Sequence, residues 1–220
     1  MDEPDGSVSR TVPFRRGVRW SDARCAVTRQ GRTEQRADHD RLRCRELDPS
    51  PLPPTLGVDV GGVVVDRATG GEDTSFFGSH PLRTPAVDGA FEVLTVLAAH
   101  PFAGRVHLVS KAGPKVAANT RAWLAHHRFF EQTGIPAHHL HFVRERSDKA
   151  RVCQRLGITH FVDDQLDVLR HLTTVEYRYL FVGGLGEEQP PQVVPAWATT
   201  ASTWMTLVDQ LRTSVPLPPA

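Results

Sequence analysis

The sequence predicts an α/β domain with three layers, in which helices cover both faces of a mainly parallel central sheet of about five strands. From residue 56 onward, short apolar runs rich in β-branched residues alternate with longer segments whose apolar residues recur at helical spacing. Strands that alternate with helices form parallel sheets, because the chain must cross back over the sheet between strands. Polar residues follow several of the strand-like runs, and ligands bind at this edge of such sheets.

The composition is that of one globular domain with additional chain outside its core. The 220 residues are 40% apolar and carry a net charge of +1, which gives no argument for binding to nucleic acid or to a membrane surface. No apolar run approaches the roughly 20 residues that cross a bilayer. The acidic N-terminus lacks the apolar core of a signal peptide, so we expect a cytoplasmic protein with no membrane partner. The three widely spaced cysteines argue against a disulfide framework or a cysteine zinc site.

Residues 1–54 differ from the rest of the chain. Eleven arginines and nine acids occur here with few large apolar residues, and the segment ends in a proline-rich run. This composition predicts a disordered tail and a stiff proline linker. The alternative is a nucleic-acid-binding arm made of Arg15, Arg16 and Arg19 beside Trp20, but the interleaved acids favour a solvated tail. We expect the folded domain to span residues 55–213 and residues 214–220 to form a flexible C-terminal tail.

The first apolar run of the domain ends at Asp59. Gly61 and Gly62 follow, and then a second apolar run at 63–65. Both runs predict buried strand. A carboxylate at the end of a buried strand needs a partner, because an unpaired buried charge is costly, and a glycine pair lets the backbone approach a ligand closely. Taken alone, the stretch is better explained by a buried strand that ends in an Asx-type turn, because short motifs have many false matches. The later segments must therefore decide between the two interpretations.

The later segments carry ordinary start and stop signals. Pro85 and Pro114 suit the first position of a helix, Ser147-Asp148 suits a cap, and Gly157 suits a helix end. After a loop or flap at 67–84 we therefore predict a helix from Pro85, a strand at Arg105–Ser110, a helix at Pro114–His127, a strand at Leu140–Val143, a helix from Ser147-Asp148 to about Leu156, a strand at Ile158–Val162, a helix at Leu166–Leu172, a strand at Tyr179–Val182 and a helix at Thr203–Leu211.

The polar residues at these element ends suit phosphate chemistry. Asp59, Ser110 and the pair Asp163-Asp164 follow predicted strands, and Lys149 lies at a predicted helix start. Carboxylates on neighbouring strands can bind Mg²⁺, which prefers oxygen ligands, and an aspartate can attack phosphorus. A lysine and a hydroxyl at a helix start can stabilise the charge of a phosphoryl group. Each residue also has a purely structural explanation, as a helix cap, a solvated lysine or a turn, but together and in this order they favour a site.

These motifs resemble those of the haloacid dehalogenase (HAD) superfamily of phosphohydrolases, over about residues 56–211. The matching segments are Asp59-Val60-Gly61-Gly62-Val63, Val106-His107-Leu108-Val109-Ser110, Ser147-Asp148-Lys149-Ala150 and His160-Phe161-Val162-Asp163-Asp164. The resemblance implies a Rossmann-like fold. It also implies that Asp59 is the nucleophile and Lys149 a second catalytic residue, that Ser110, Lys111 and Lys149 bind the phosphoryl group, and that Asp59, the Gly61 carbonyl, Asp163 and Asp164 bind Mg²⁺.

The first motif departs from the family pattern at Gly61. The family usually has a second aspartate here, which protonates the leaving group and then activates water, and glycine can do neither. Acid–base help of this kind is typically worth roughly 10²–10⁴-fold in rate. Asp66, Glu72, Asp73 and His80, in or beside the predicted flap, are the candidate substitutes, and the sequence does not choose among them.

The spacing of the elements predicts an open, capless or small-cap site. Neither the first gap, with its flap of about twenty residues, nor the second, at 144–148, has room for a folded lid domain. An open site suits a larger phosphoester, or a lid supplied by a partner subunit. The expected substrate is a small-molecule or larger phosphoester, and a homo-oligomer stays open as an alternative. The later histidines occur without zinc-ligand spacing, which favours surface positions over a metal site: His126, His127, His138, His139 and His141.

The leading functional hypothesis is a Mg²⁺-dependent phosphohydrolase or phosphotransferase that forms an aspartyl-phosphate on Asp59. The second is a catalytically weak HAD-like module that binds a phosphorylated ligand or a protein partner, which Gly61 favours. The third is a nucleic-acid end phosphatase, which only the predicted open site and the arginine-rich tail support. Dehalogenation fits less well, because Lys149 and the acidic pair point to phosphate and Mg²⁺.

Overall fold

A computed structural model describes residues 53–67, 80–184 and 191–215, which all lie in the compact unit Ser50–Ala220. Six parallel strands form one sheet with the order β3-β2-β1-β4-β5-β6. The strands are β1 Leu56–Val58, β2 Val106–Lys111, β3 Leu140–Val143, β4 His160–Asp163, β5 Tyr177–Phe181 and β6 Thr199–Ala201. The helices are α1 Ala90–Ala99, α2 Pro114–His126, α3 Phe129–Thr133, α4 Lys149–Leu156, α5 Leu166–Leu169 and α6 Trp204–Ser214.

Apolar side chains cover both faces of the sheet, which confirms the predicted three layers. Adjacent residues of one strand enter different cores because strand side chains alternate between faces: Leu108 and Val109 do so in β2, and Val162 and Phe161 in β4. The first core includes residues of α1, α2, α3 and α6, and the second includes residues of α4 and α5. The strands therefore read as continuous apolar runs, as parallel sheets require.

Close packing at the centre of the sheet requires glycine at position 57. A side chain at Gly57 in β1 would place its Cβ atom 2.4 Å from the ring of Phe161 in β4. The neighbouring strand therefore uses the space that the missing side chain leaves. The two strands lie side by side and pair in parallel from Leu56–His160 to Val58–Val162, which brings their carboxyl ends to the same level.

The prediction of strand at Val63–Val65 was wrong, although its prediction of burial was right. All three side chains are fully buried, but the backbone turns, and only isolated bridges join Val65 to Gly61 and to Ala86. The Val60 carbonyl accepts hydrogen bonds from the N–H groups of Val64 and Val65, and the indole of Trp204 donates to the Val63 carbonyl. Local and side-chain partners thus replace the neighbouring strand that the apolar composition predicted.

Several element bounds also differ from the predictions. The first helix begins at Ala90 instead of Pro85, because the Pro85 carbonyl accepts from the Asp66 N–H, and Val87 donates to the Val64 carbonyl. Ser147-Asp148 belongs to a 3-10 turn, Arg146–Asp148, in which Glu145 and Asp148 cap each other's backbone, and α4 follows directly and ends before Gly157. The fifth strand is shifted to Tyr177–Phe181, and α5 is only Leu166–Leu169. Two elements, β6 and α3, were not predicted from the sequence.

Some predictions lie outside the described residues. These are the tail at 1–52, the middle of the predicted flap at 68–79 with Glu72 and Asp73, and the chain end at 216–220. Within the described ranges, no helix combines the length and apolar character needed to span a bilayer.

Of the histidines predicted to lie at the surface, His126 and His138 are exposed, whereas His127, His139 and His141 are partly buried. His139 and His141 are half-buried and pack against His107 of β2. The His107 Nδ1 atom lies 3.3 Å from His141 Nε2, and the rings of His107 and His139 stack with their centroids 4.1 Å apart. Their sequence spacing could not show this contact, because it joins His107 of β2 to residues in and directly before β3.

Candidate active site

The strand order places a cavity at the carboxyl ends of β1 and β4. The sheet continues from β1 toward β2 in one direction and toward β4 in the other, and such a reversal opens a crevice at the strand ends. Asp59 directly follows β1, and Asp163 is the last residue of β4. A cavity of about 530 Å³ lies here. Its lining includes every site residue that the sequence predicted: Asp59, Gly61, Ser110, Lys111, Lys149, Asp163 and Asp164.

Lys149 connects the two central strands. Its side chain is 2% exposed, and its Nζ atom lies 2.7 Å from Asp163 Oδ2 and 2.8 Å from Asp59 Oδ1. The Nζ atom also lies 5.6 Å from the centre of the Phe161 ring. Lys149 is the first residue of α4, and Asp163 is the last of β4, so the separation of 14 residues is one helix and one turn of chain. A buried ammonium is tolerated only with such partners.

Burial and neighbouring charges have opposite effects on the pKa values of Lys149 and Asp163. Burial lowers the pKa of Lys149, but the charges of Asp163 and Asp59 raise it by more, so that its net pKa lies above its ordinary value and the ammonium stays charged. Burial raises the pKa of Asp163, the charges of Asp59 and Asp164 raise it further, and Lys149 opposes them. Burial is the largest of these effects, so the net pKa of Asp163 is raised although Lys149 stabilises its carboxylate.

The other contacts of the acidic pair were not predictable from sequence. Asp163 Oδ1 accepts a hydrogen bond of 2.9 Å from the backbone N–H of Gln165, which fixes this carboxylate in place. The guanidinium of Arg67 forms an ion pair with Asp164 Oδ2. Burial and the charge of Asp59 raise the pKa of Asp164, while Arg67 lowers it. Arg67 comes from the loop after β1, and no local pattern indicated that this loop folds onto β4.

The carboxylates fit a divalent cation. Asp59, Asp163 and Asp164 each place one carboxylate oxygen within 4.8 Å of those of the other two. Asp59 Oδ1 is buried and has no hydrogen bond among the described residues, since its 2.8 Å contact with Lys149 is an ion pair outside hydrogen-bond geometry. Three carboxylates face the two cations Lys149 and Arg67, so negative charge is in excess. Oxygen ligands with excess negative charge are what Mg²⁺ prefers.

The two glycines of the first motif differ in what they tolerate. Gly62 has a positive φ of 75°, and a Cβ atom there would lie 2.3 Å from Asp164 Oδ2. Glycine is therefore required at this position. Gly61 is exposed at the cavity, its φ is outside the left-handed region, and an added Cβ atom would meet nothing within 4 Å. The backbone therefore does not explain why this chain has glycine at position 61.

Ser110 and the start of α2 also line the cavity. The Ser110 side chain is buried at the end of β2, and its hydroxyl makes no hydrogen bond to another described residue. Gly113 precedes α2 and gives it no side-chain cap, so the first N–H groups of this 13-residue helix lack that partner. A hydroxyl and a helix N-terminus at one cavity wall are suited to an anion. Lys111 is exposed at the rim.

Among the described residues, Asp66 is the candidate substitute for the missing acid that lies at the site. It lines the cavity, and its Oδ1 atom accepts a hydrogen bond of 2.8 Å from the Arg67 N–H. His80 is exposed and does not line the cavity. Glu72 and Asp73 lie outside the described residues.

Comparisons with known proteins give little further information. No family model and no curated protein matches this chain. Among solved structures, the D,D-heptose 1,7-bisphosphate phosphatase from Burkholderia thailandensis is similar over 73% of this chain and 99% of that one, with 14% sequence identity and a TM-score of 0.48. A likeness of this extent does not identify the activity of this chain, and the described site alone carries the functional inference.

Proposed function

We propose that this protein is a Mg²⁺-dependent phosphohydrolase of the HAD superfamily that cleaves phosphomonoesters through an aspartyl-phosphate on Asp59. The observation that carries the proposal is the contact of one buried lysine, Lys149, with both Asp59 and Asp163 at the ends of β1 and β4. A structural ion pair needs only one carboxylate. A lysine between two, in a cavity that also holds Asp164 and Ser110, matches a site for a transferring phosphoryl group and a cation.

Ser110 and the start of α2 would bind the phosphoryl group, and the three carboxylates would bind the cation. The phosphoryl oxygens accept hydrogen bonds from the first N–H groups of α2 and from the Ser110 hydroxyl, while the Lys149 ammonium compensates their charge. Asp59, Asp163 and Asp164 would hold Mg²⁺, and the Gly61 carbonyl lines the same cavity. A bound Mg²⁺ would supply positive charge that reduces the repulsion between the Asp59 carboxylate and the anionic phosphoryl group.

Two displacements at phosphorus complete the reaction. A carboxylate oxygen of Asp59 attacks phosphorus, the bond from phosphorus to the ester oxygen breaks, and its electron pair stays on the leaving oxygen, which takes a proton. A water molecule then attacks phosphorus, loses a proton, and displaces the Asp59 carboxylate with release of inorganic phosphate. We assign the proton donor for the first step and the acceptor for the second to Asp66, because it is the candidate acid that lines the cavity.

The second candidate function is a module that binds a phosphorylated ligand or a protein with little turnover. The specific observation in its favour is Gly61, which has open space beside it and no acid–base group of its own. The two functions differ in what they require of Asp59: a nucleophile must be a carboxylate, whereas a binding residue needs only oxygen atoms.

A screen of many phosphoesters, with Mg²⁺ and with a chelator, tests the proposal. We expect turnover that requires Mg²⁺ and that is lost in Asp59→Asn, whose fold is checked by its melting temperature. The absence of turnover for all substrates, with phosphate binding preserved in Asp59→Asn, would favour the binding module.

A further inference from the structure

A second cavity of about 360 Å³ adjoins the first one. Lys111 and Arg146 line both cavities, so these two side chains form the boundary between them. The remaining lining of the second cavity comes from Glu145, Ser147, Asp167 and His171. We propose that this second cavity binds a further anionic group, a phosphate or a carboxylate, on the leaving group of the substrate. Lys111 and Arg146 determine this specificity. The proposal rests on the proposed function.

Lys111 has a charge that is not otherwise engaged. It is the last residue of β2, and its exposed ammonium has no ion pair or hydrogen bond with another described residue. Ser110, which precedes it, is buried and lines only the first cavity. Adjacent strand residues point to opposite faces, so Ser110 suits the transferring phosphoryl group and Lys111 suits a more distant one. This assignment moves Lys111 away from the role that the family resemblance implied.

Arg146 is only loosely held. Its guanidinium is half-exposed and lies 3.9 Å from Asp167 Oδ2, at the limit of an ion pair. Asp167 has a closer partner in Arg170, at 2.6 Å. A ligand anion can therefore take Arg146 without leaving Asp167 unpaired, and arginine offers two parallel donors to a phosphate or carboxylate.

The acids of the second cavity are already committed. The Glu145 carboxylate accepts a hydrogen bond from the Asp148 N–H in the reciprocal cap before α4, and Asp167 is paired with Arg170. Glu145 keeps its negative charge, but the cations Lys111, Arg146 and Arg170 outnumber the acids Glu145 and Asp167 at this cavity, which favours an anion. The substrate class that fits both cavities is a phosphomonoester with a second anionic group, such as a bisphosphate or a phosphorylated carboxylic acid.

The test compares matched substrates in matched variants. For wild type we expect a higher kcat/KM for fructose bisphosphate than for fructose monophosphate, which tests binding of a second phosphate. We also expect a higher kcat/KM for phosphoglycerate than for glycerol phosphate, which tests binding of a carboxylate. Lys111→Met and Arg146→Met should each reduce the preference by about tenfold or more, as expected for a charge-assisted hydrogen bond. Lys111→Arg should keep it. Arg151→Met, which removes an exposed arginine of α4 outside both cavities, is the control.

Loss of activity on mono- and bis-anionic substrates alike in Lys111→Met would overturn the proposal and return Lys111 to the transferring phosphoryl group. Binding of fructose bisphosphate and monophosphate to Asp59→Asn, measured by calorimetry, separates this proposal from the proposed function. Wild type could hydrolyse no phosphoester while Asp59→Asn binds the bisphosphate more tightly than the monophosphate. If the double variant Asp59→Asn/Lys111→Met then loses this preference, the second site is supported and the proposed activity is not. No preference in either measurement would contradict the second site.

Discussion

At the scale of single residues, Gly61 departs from the HAD motif that the sequence resembles, and the effect of this departure on catalysis can be tested by substitution. Because no backbone strain and no neighbour within 4 Å opposes a side chain there, Gly61→Asp should fold and place a carboxylate at the cavity. We expect an increase in kcat of about tenfold, less than the roughly 10²–10⁴-fold of a well-positioned acid–base group, because Asp66 already has this role in the proposed mechanism. The gain should be greatest for esters with poor leaving groups, which need a proton most.

Two further variants serve as controls for Gly61→Asp. Gly61→Asn has the same size without a transferable proton, and it should leave kcat unchanged. Gly62→Ala should lower the melting temperature, because alanine disfavours the positive φ and its Cβ atom would meet Asp164. Equal activation by Asp and Asn at position 61 would show that the gain does not come from an added acid–base group.

The metal assignment also belongs to single residues. Mg²⁺ should raise the melting temperature, because a ligand that binds the native state stabilises it, and combining Asp163→Asn with Asp164→Asn should abolish the rise. Asp167→Asn removes a partly exposed acid outside the three-carboxylate cluster and is the matched control. An unchanged response to Mg²⁺ in the double variant would place the cation elsewhere.

At the scale of elements, the contact between β2 and β3 predicts a pH dependence of stability. Burial, followed by the nearby charges of His139, His141 and His138, lowers the pKa of His107 from 6.5 to about 4. The unfolded chain therefore binds more protons than the folded one between these two values, so this contribution to stability is full above about pH 6.5 and is lost as the pH falls toward 4.

The measurement is the fall in melting temperature from about pH 7.5 to about pH 5. We expect a smaller fall in His107→Gln than in wild type, because the variant lacks the group that gains a proton on unfolding. His138→Gln changes an exposed histidine of the same region and should behave more like wild type. An equal fall in wild type and in His107→Gln would contradict the account of this contact.

Elements also separate what the sequence could predict from what it could not. The positions of Asp59, Lys149 and Asp163 were predictable because each lies at an element end, and parallel strands bring their carboxyl ends to one edge. Val63–Val65 was predicted as strand because apolar composition reports burial but not which partner satisfies the backbone. Arg67 and Arg146 reach the cavities from loops, whose paths depend on tertiary contacts that no local period encodes.

At the scale of the whole molecule, the folded unit should not depend on the N-terminal segment. The composition of residues 1–52 offers few apolar side chains to pack, and Ser50–Ala220 forms one compact unit. A chain that begins at Pro53 should therefore keep its melting temperature within a few degrees and keep its far-ultraviolet circular dichroism per folded residue. A decrease of more than about 5 °C, which corresponds to roughly 1–2 kcal/mol for a domain of this size, would show that the segment packs on the domain.

The central claim is that Asp59 attacks phosphorus, and trapping the covalent intermediate tests it most directly. Wild type mixed with a radiolabelled phosphoester and Mg²⁺, then quenched in acid within milliseconds, should carry label on the peptide that contains Asp59. Hydroxylamine should release this label, because an acyl-phosphate is an activated carboxyl derivative. Asp59→Asn should carry no label and show no turnover, while its melting temperature stays near that of wild type. Label on a different residue, or turnover that persists in purified Asp59→Asn, would contradict the account.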